Sequence, residues 1–327
     1  MRWLLSVLMI GATLATAVVA LSDAVRQREV DARTAVDQIG IEFEWPNDPG
    51  AADPETAQAI IAEAADVTAS NVIRKLVVAG RTGKTEITFF IQLGRQTSAL
   101  FTPFTLAQGR WLTRSDMSAG AATISTTSPG AGGERIGVPA VLAGAYHLTF
   151  APMQRAFDSI PVTGQYVLES PDGAARIRFF TLVNERLAAA GSPGVISAAA
   201  APADIVRPAA YAGFLILPPI LIVLAALLVS AIVLRSGKRI GVLRLCGHSI
   251  ASIWYLIVGR LQIVATLVTG LGCVAGVAVL PGADLAVLGQ LLAALLGVGV
   301  LGITATAILA VVIISRVRVT DLVKGRL

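Results

Sequence analysis

The residues most able to do chemistry in this chain are few and scattered. There are two histidines, His147 and His248, and two cysteines, Cys246 and Cys273. No pair of these with a nearby acid has the spacing of metal ligands. Neither cysteine has a histidine placed to make it a nucleophile. Gly83-Lys84-Thr85 is a fragment of a phosphate loop, but such a loop needs a glycine at position 78, where Val78 stands. Turn chemistry between two strands accounts for this tripeptide better. No catalytic, cofactor-binding or metal residues are therefore expected, and the chain is read as a non-enzyme whose ATP, if any is used, is bound by a partner.

The elements that must hold these residues are mostly apolar. The chain is 55% hydrophobic and 14% charged, against about 25% charged in an ordinary soluble domain. The charge deficit sits in four stretches, each long enough to cross a bilayer as a helix, which takes roughly 20 residues. The expected organisation is a first span over residues 1–21, an α+β domain over 22–207, a second span over 208–234, a cytoplasmic amphipathic helix over 235–253, a third span over 254–280, a fourth over 285–315, and a basic tail over 316–327. The fold class is an α-helical membrane protein with four transmembrane helices and an extracytoplasmic α+β domain between the first two.

Orientation follows from charge. The segment Asp23–Arg207 holds 16 basic and 19 acidic residues, so the one large domain is mildly acidic and gives no nucleic-acid footprint. Outside it stand ten bases, grouped as Arg2, then Arg235, Lys238, Arg239, Arg244 and Arg260, then Arg316, Arg318, Lys324 and Arg326, with only Asp284 and Asp321 as acids. Basic residues at span ends mark the cytoplasmic side, so both termini and the second-to-third loop are expected inside a plasma membrane. His147 and His248 then lie on opposite sides of the bilayer. A cleaved signal ending near Ala20 is the competing reading of the first span. The apolar run is longer than an ordinary signal core, and Ser22 to Gln38 continues without a breaker, which favours a helix projecting into the domain.

Within the domain, Ser22–Ile39 reads as a helical extension and Ile41–Trp45 as a strand. Asp53 with Pro54 opens a helix over Ala57, Ile60, Ile61 and Ala64 that extends toward Ile73. Leu76–Val78 and Glu86–Ile91 read as paired strands. Ala121–Ser125, Ala140–Leu142, His147–Phe150 and Gly164–Leu168 read as short β pieces, Ser128–Gly133 as an exposed loop, and Phe179–Ala190 as a helix. The Ala-rich stretch Ala198–Ala203 links to the second span. The last two spans carry Gly270, Gly272 and Gly276, then Gly297, Gly299 and Gly302, which are expected to let helix backbones approach closely in lipid.

After the second span, Gly237–Ser249 places Ile240, Leu243, Ile250 and Ile253 on an apolar stripe with Lys238, Arg239 and Arg244 elsewhere, the pattern of a helix at the cytoplasmic surface. This segment resembles the signature of MacB/FtsX-type ABC transporter permeases, the type VII ABC superfamily, broadly "(R/K)-x-E-I-G-(V/I)-(L/M)-(R/K)-x-x-G-(A/S)". Ile240, Gly241, Val242, Leu243, Arg244 and Gly247 match it. Gly109-Arg110-Trp111-Leu112-Thr113-Arg114-Ser115-Asp116 is similar to "G-R-x-F-T-x-x-D" of the family's periplasmic core domain, and Ser315–Lys324 to its basic ending. The order of one span, a large domain and three spans also agrees. Arg239 departs from the usual Glu, and Arg260 stands where many members carry an acid. The Lys-Arg-Ile-Gly start and Val-Lys-Gly ending resemble bacteriocin-associated members.

The resemblance implies a permease subunit with a MacB-like domain, moving lipids, lipoproteins or peptides, or activating cell-wall hydrolases as FtsX-like regulators do. Its partners would be a cytoplasmic ABC ATPase, a second permease subunit in a homodimer or heterodimer, the lipid bilayer, and an extracytoplasmic protein or peptide. ATPase docking would fall on Lys238, Arg239, Ile240, Gly241, Leu243, Arg244 and Gly247. The rival class is an ATPase-free membrane-anchored sensor or scaffold. An external enzyme on an anchor is disfavoured by the lack of any acid–base or metal constellation.

Overall fold

The structure, a computed structural model, describes residues 2–80, 83–94, 97–128, 133–192, 194–198 and 216–316. The exposed loop expected over Ser128–Gly133, the linker toward Ala203, the start of the second span and the basic tail with Arg318, Lys324 and Arg326 fall wholly or largely outside these residues. The chain divides into two units, Met1–Ala24 with Arg207–Leu327, and Val25–Val206.

The first unit is helical. Four helices are long and apolar enough to cross a membrane: Trp3–Thr34, Leu217–Arg235, Ile250–Ala278 and Leu285–Arg316. That composition fits a multi-pass membrane protein. In chain order they are α1 (Arg2–Thr34), α6 (Leu217–Arg235), the run α8–α9 and α10 (Leu285–Arg316). A short helix, α7 (Gly237–Leu245), stands between α6 and α8 (Ile250–Trp254), and a π-helical turn over Tyr255–Gly259 joins α8 to α9 (Arg260–Ala278). Leu5 and Met9 of α1 pack with Val229 and Val233 of α6 and Ala310 and Ile314 of α10. Helices that are apolar on all sides need only this inner stripe to match, and their other faces carry exposed Leu, Ile and Val.

The second unit is an α+β sheet domain. Its eight strands are β1 (Ile41–Trp45), β2 (Asn71–Ala79), β3 (Thr85–Gln92), β4 (Leu106–Gly109), β5 (Ala122–Ser125), β6 (Glu134–Pro139), β7 (His147–Pro152) and β8 (Gly164–Glu169). They form one mixed sheet in the order β1-β8-β2-β3-β7-β5-β6-β4. β3 pairs parallel with β7, and β5 parallel with β6. Alternation along β3 builds two cores. Phe90 faces one with Val72, Phe43 and Tyr166, covered by α2 (Pro54–Thr68) and α5 (Gly173–Ala189). Ile87, Phe89 and Ile91 face the other, with Phe150, Phe101 and Leu112, where Ala32 of α1 and Ala35 and Val36 of the turns after it pack.

The polar end of α1 is fastened to the β2–β3 hairpin. Lys75 Nζ reaches Asp37 Oδ1 at 2.5 Å, Thr85 Oγ1 donates to Glu29 at 2.6 Å, and Tyr146 OH donates to the Arg28 carbonyl at 3.3 Å. Regular helix ends at Thr34 and gives way to turns before Ile39.

Several expectations shift. The α2 helix stops at Thr68 and does not reach Ile73, because Ala69 turns left-handed at φ +52° and its N–H closes on Ala65 and Asp66. The chain then runs extended, and β2 starts at Asn71 instead of Leu76. Ala140–Leu142 is not a strand; a 3-10 turn covers Leu142–Gly144, and the strand is β6 just before it. Helix α5 starts at Gly173, six residues ahead of Phe179, because the Asp172 carboxylate accepts from Ala175 N at 2.6 Å and caps it. The third span begins at Ile250 instead of residue 254.

Candidate functional site

The segment between α6 and α9 is two helices. Residues 235–253 were expected to form one. Gly247 adopts φ +80°, and the His248 N–H closes on the Leu243 carbonyl at 3.1 Å, a helix-ending turn that only glycine takes cheaply. Ser249 then caps α8, its Oγ accepting from Ser252 N at 3.3 Å. The apolar stripe is also redirected. Ile240 and Ile253 are buried in the helical unit's own core, and Leu243 and Ile250 pack against it. They are not free to seat in a partner.

What α7 turns outward is a different set. Lys238 and Arg239 are exposed, and Val242 and Leu245 are 60% and 74% exposed. Lys238, Val242 and Leu245 lie four and three residues apart, on one helical face. Gly241 is buried beside Ile240. Arg244 is half-buried and already engaged within the chain. Just beyond the turn, the Trp254 ring lies against Gly259 inside the π-helical turn, where an added Cβ would come within 3.0 Å of it. Such turns cluster at functional sites.

The six span glycines behave differently from one another. A Cβ at Gly299 would meet Thr266 Cγ2 at 3.1 Å, and one at Gly302 would meet Ile222 and Met9 at 3.7 Å. Gly270, Gly272, Gly276 and Gly297 have nothing within 4 Å of that position. Within this chain, close approach therefore falls on Gly299 and Gly302. Beside them is a polar seam that sequence reasoning missed. Gln262, fully buried on α9, donates Nε2 to Thr306 Oγ1 on α10 at 3.1 Å, and Thr306 Oγ1 donates in turn to the Gly302 carbonyl at 2.8 Å. Interhelical bonds of this kind contribute about 0.6 kcal/mol on average in lipid. The available signal was a glutamine inside an apolar span.

In the sheet domain, the Gly109–Asp116 stretch proves to be an architectural knot. Thr113 caps α3 (Arg114–Ala119), and Asp116 closes a capping box by accepting from Thr113 N at 2.8 Å. Asp116 also takes a fork from Arg110, at 2.6 Å from Nη1 and 2.8 Å from Nη2. The Arg110 guanidinium, followed by the Thr113 hydrogen bonds, holds the Asp116 carboxyl well below the usual carboxylate range against the opposing cost of burial. Arg114 pairs with Asp66 on α2 at 2.7 Å, and Trp111 stacks on Phe101 with centroids 4.6 Å apart.

The remaining sequence candidates stay apart. Gly83-Lys84-Thr85 lies in the β2–β3 turn, where Gly83 N donates to Gly80 O at 3.0 Å and Lys84 Nζ to Gly144 O at 2.6 Å. His147 pairs opposite Glu86 in the sheet. Cys246 is exposed at the end of α7, and Cys273 is half-buried on α9. Among the described residues no three His, Cys, Asp or Glu side chains converge as metal ligands.

No family model matches the chain, and no curated protein matches it. Among solved structures, the extracellular domain of a noncanonical ABC-type transporter, YknZ, from Gram-positive bacteria shares 15% identity over 49% of this chain and 99% of that chain, with a TM-score of 0.32. At that distance the likeness does not establish a shared fold. What the structure does establish is four long apolar helices with an α+β sheet domain inserted between the first and the second.

Proposed function

We propose that this chain is the permease subunit of a MacB/FtsX-type ABC transporter, docked through α7 to a separate cytoplasmic ATPase. The observation that carries the reading is the division of labour on α7. Its apolar signature residues, Ile240 and Leu243, fix the helix onto the spans, while Lys238, Arg239, Val242 and Leu245 project outward. A helix anchored on one side and presenting paired cations and apolar side chains on the other suits a partner groove with acidic rims. ATP is bound by the partner, and this chain receives its motion. The termini and α7 face the cytoplasm, by the grouping of basic residues, and the sheet domain faces outward. The substrate class is lipid, lipoprotein or peptide on the outer side, or a cell-wall hydrolase that the domain activates.

The experiment is affinity purification of the tagged chain in mild detergent with identification of its co-purifying subunits. The proposal expects an ABC ATPase at near-stoichiometric yield. Recovery of the chain alone, with α7 protected only by anionic lipid, supports the ATPase-free anchor instead, because a basic helix with exposed Val242 and Leu245 also suits a membrane surface.

A further inference from the structure

Arg260 is the one charged residue between Ile250 and Ala278, in a helical run of 29 residues that is long and apolar enough to cross a membrane. An ionisable side chain in such a run is costly and calls for a partner. Arg260 is exposed, and among the described residues no acid pairs with it. The other spans have none to offer. Trp3–Leu21 contains no acid, and between Ala209 and Arg316 the only one is Asp284. Asp284 lies beyond the far end of α9, where it accepts from Val287 N at 2.9 Å and caps α10. A second copy of the chain therefore brings no spanning acid to Arg260.

Depth and the π-helical turn decide what can meet it. The roughly 20 residues that fill a hydrocarbon core, counted back from Ala278, end at Gly259. Arg260 thus falls at the membrane–water boundary, with Trp254 and Tyr255 on its watery side, as aromatic residues of interfaces do. The Arg260 N–H closes on the Tyr255 carbonyl, five residues back instead of four. In a regular helix, side chains five apart point about 140° apart. The wider turn brings Arg260 back toward the face of Tyr255. Helical side chains lean toward the N-terminus, so the guanidinium leans toward that phenol. Tyr255 and Leu256 are both exposed, and they line a shallow hollow of about 530 Å³ with Ser252 and Trp254. Toward Ala278, Val264, Leu267, Val268 and Leu271 continue the Arg260 face, all exposed.

We propose that Arg260 and Tyr255 bind the phosphate of an anionic phospholipid, with one acyl chain running along Val264, Leu267, Val268 and Leu271. The guanidinium gives the phosphate forked hydrogen bonds, and the Tyr255 hydroxyl donates a further one. The hollow beside Tyr255 has room for the headgroup. A choline or ethanolamine headgroup carries its own cation, which finds no acid here. Lys238, Arg239 and Arg316, exposed at the same end of the helical unit, add to the attraction for a net negative lipid. The site needs neither the ATPase nor the orientation proposed above.

The test is native mass spectrometry of the full chain in detergent, offered equal amounts of dioleoylphosphatidylglycerol and dioleoylphosphatidylcholine. Phosphatidylglycerol should be retained at least about tenfold more tightly than phosphatidylcholine, in line with hydrogen bonds to a charged group. Arg260→Gln should remove that preference. Tyr255→Phe should weaken it about fivefold, the worth of one hydrogen bond. Both side chains are exposed, and the second variant keeps the test decisive if the first fails to fold. Arg316→Gln removes another exposed cation from the same end of the unit and should leave the preference unchanged. Equal retention of the two lipids, a preference that survives both Arg260→Gln and Tyr255→Phe, or an equal loss in Arg316→Gln overturns the proposal. So does a second membrane subunit whose co-purification is lost in Arg260→Gln while lipid retention is not, which would give Arg260 to an acid in a partner's span.

Discussion

Asp116→Ala isolates the knot at α3. The Asp116 side chain is nearly buried, with the residue 7% exposed, and it accepts from Thr113 N, Thr113 Oγ1 and both Arg110 Nη atoms. Its removal breaks the capping box and leaves the Thr113 N–H without its acceptor. Loss of a cap costs about 1–2 kcal/mol. Arg110 is open to water and re-solvates on losing its partner, so the ion pair adds little beyond that. An opening free energy lowered by about 1–2 kcal/mol raises exchange of the α3 amides roughly 5- to 30-fold, since 1.4 kcal/mol is a factor of ten. Hydrogen–deuterium exchange of the full chain in nanodiscs reads this directly over residues 113–120. The pH dependence has a defined sign. The folded carboxyl lies below its unfolded value, so its stabilisation is present above the unfolded pKa, about 3.9, and is lost as pH falls through the folded one. Wild type and variant should differ fully at neutral pH and begin to converge only below about pH 4, the unfolded value, the difference shrinking further as pH falls toward the folded one. A change under about threefold at neutral pH would refute the part assigned to Asp116 in closing the capping box on Thr113, given the usual worth of such caps.

Two further outcomes follow from the helical unit. Gly299→Leu should lower the stability of the isolated chain, because a Cβ there would meet Thr266 Cγ2 at 3.1 Å, whereas Gly272→Leu should spare the chain and impair only the proposed association with a second permease subunit; equal loss of monomer stability in both, measured by thermal scans in detergent, would contradict this. Labelling of intact cells with an impermeant maleimide should modify Ser128→Cys in the sheet domain and miss the exposed Cys246; the reverse pattern would invert the topology.

Local signals were readable where one residue type decides the outcome. Asp53 followed by Pro54 predicts the start of α2, and Asp53 does accept from Thr56 N at 2.9 Å. The four apolar runs predict the four long helices. Val72 and Ile73 extend the apolar periodicity of α2 past its true end, and only the left-handed Ala69 shows that the chain has already turned toward a strand. The stripe of Ile240, Leu243, Ile250 and Ile253 was recognised as apolar, but periodicity cannot say whether such a stripe meets a partner or the chain's own spans. Gly247 decides it by breaking the helix, and the outward face becomes Lys238, Val242 and Leu245. The Gln262–Thr306 bond joins positions 44 residues apart, and no local pattern carries it. The same holds for the six span glycines, of which only Gly299 and Gly302 approach a neighbour.

The central claim is that α7 couples this chain to an ATPase, and it is tested most directly by reversing the two cations that the structure leaves exposed. Lys238→Glu with Arg239→Glu alters no buried contact, since both side chains point away from the helical core. Arg244, half-buried and engaged within the chain, is left intact. The measurement is the amount of ATPase co-purified per permease, together with the ATP hydrolysis rate of the complex. The account predicts that both fall at least about tenfold, in line with unpaired like charges at an interface costing several kcal/mol, while membrane insertion and yield of the permease stay at wild-type levels. Unchanged co-purification and hydrolysis in the double reversal would show that α7 is not the docking helix.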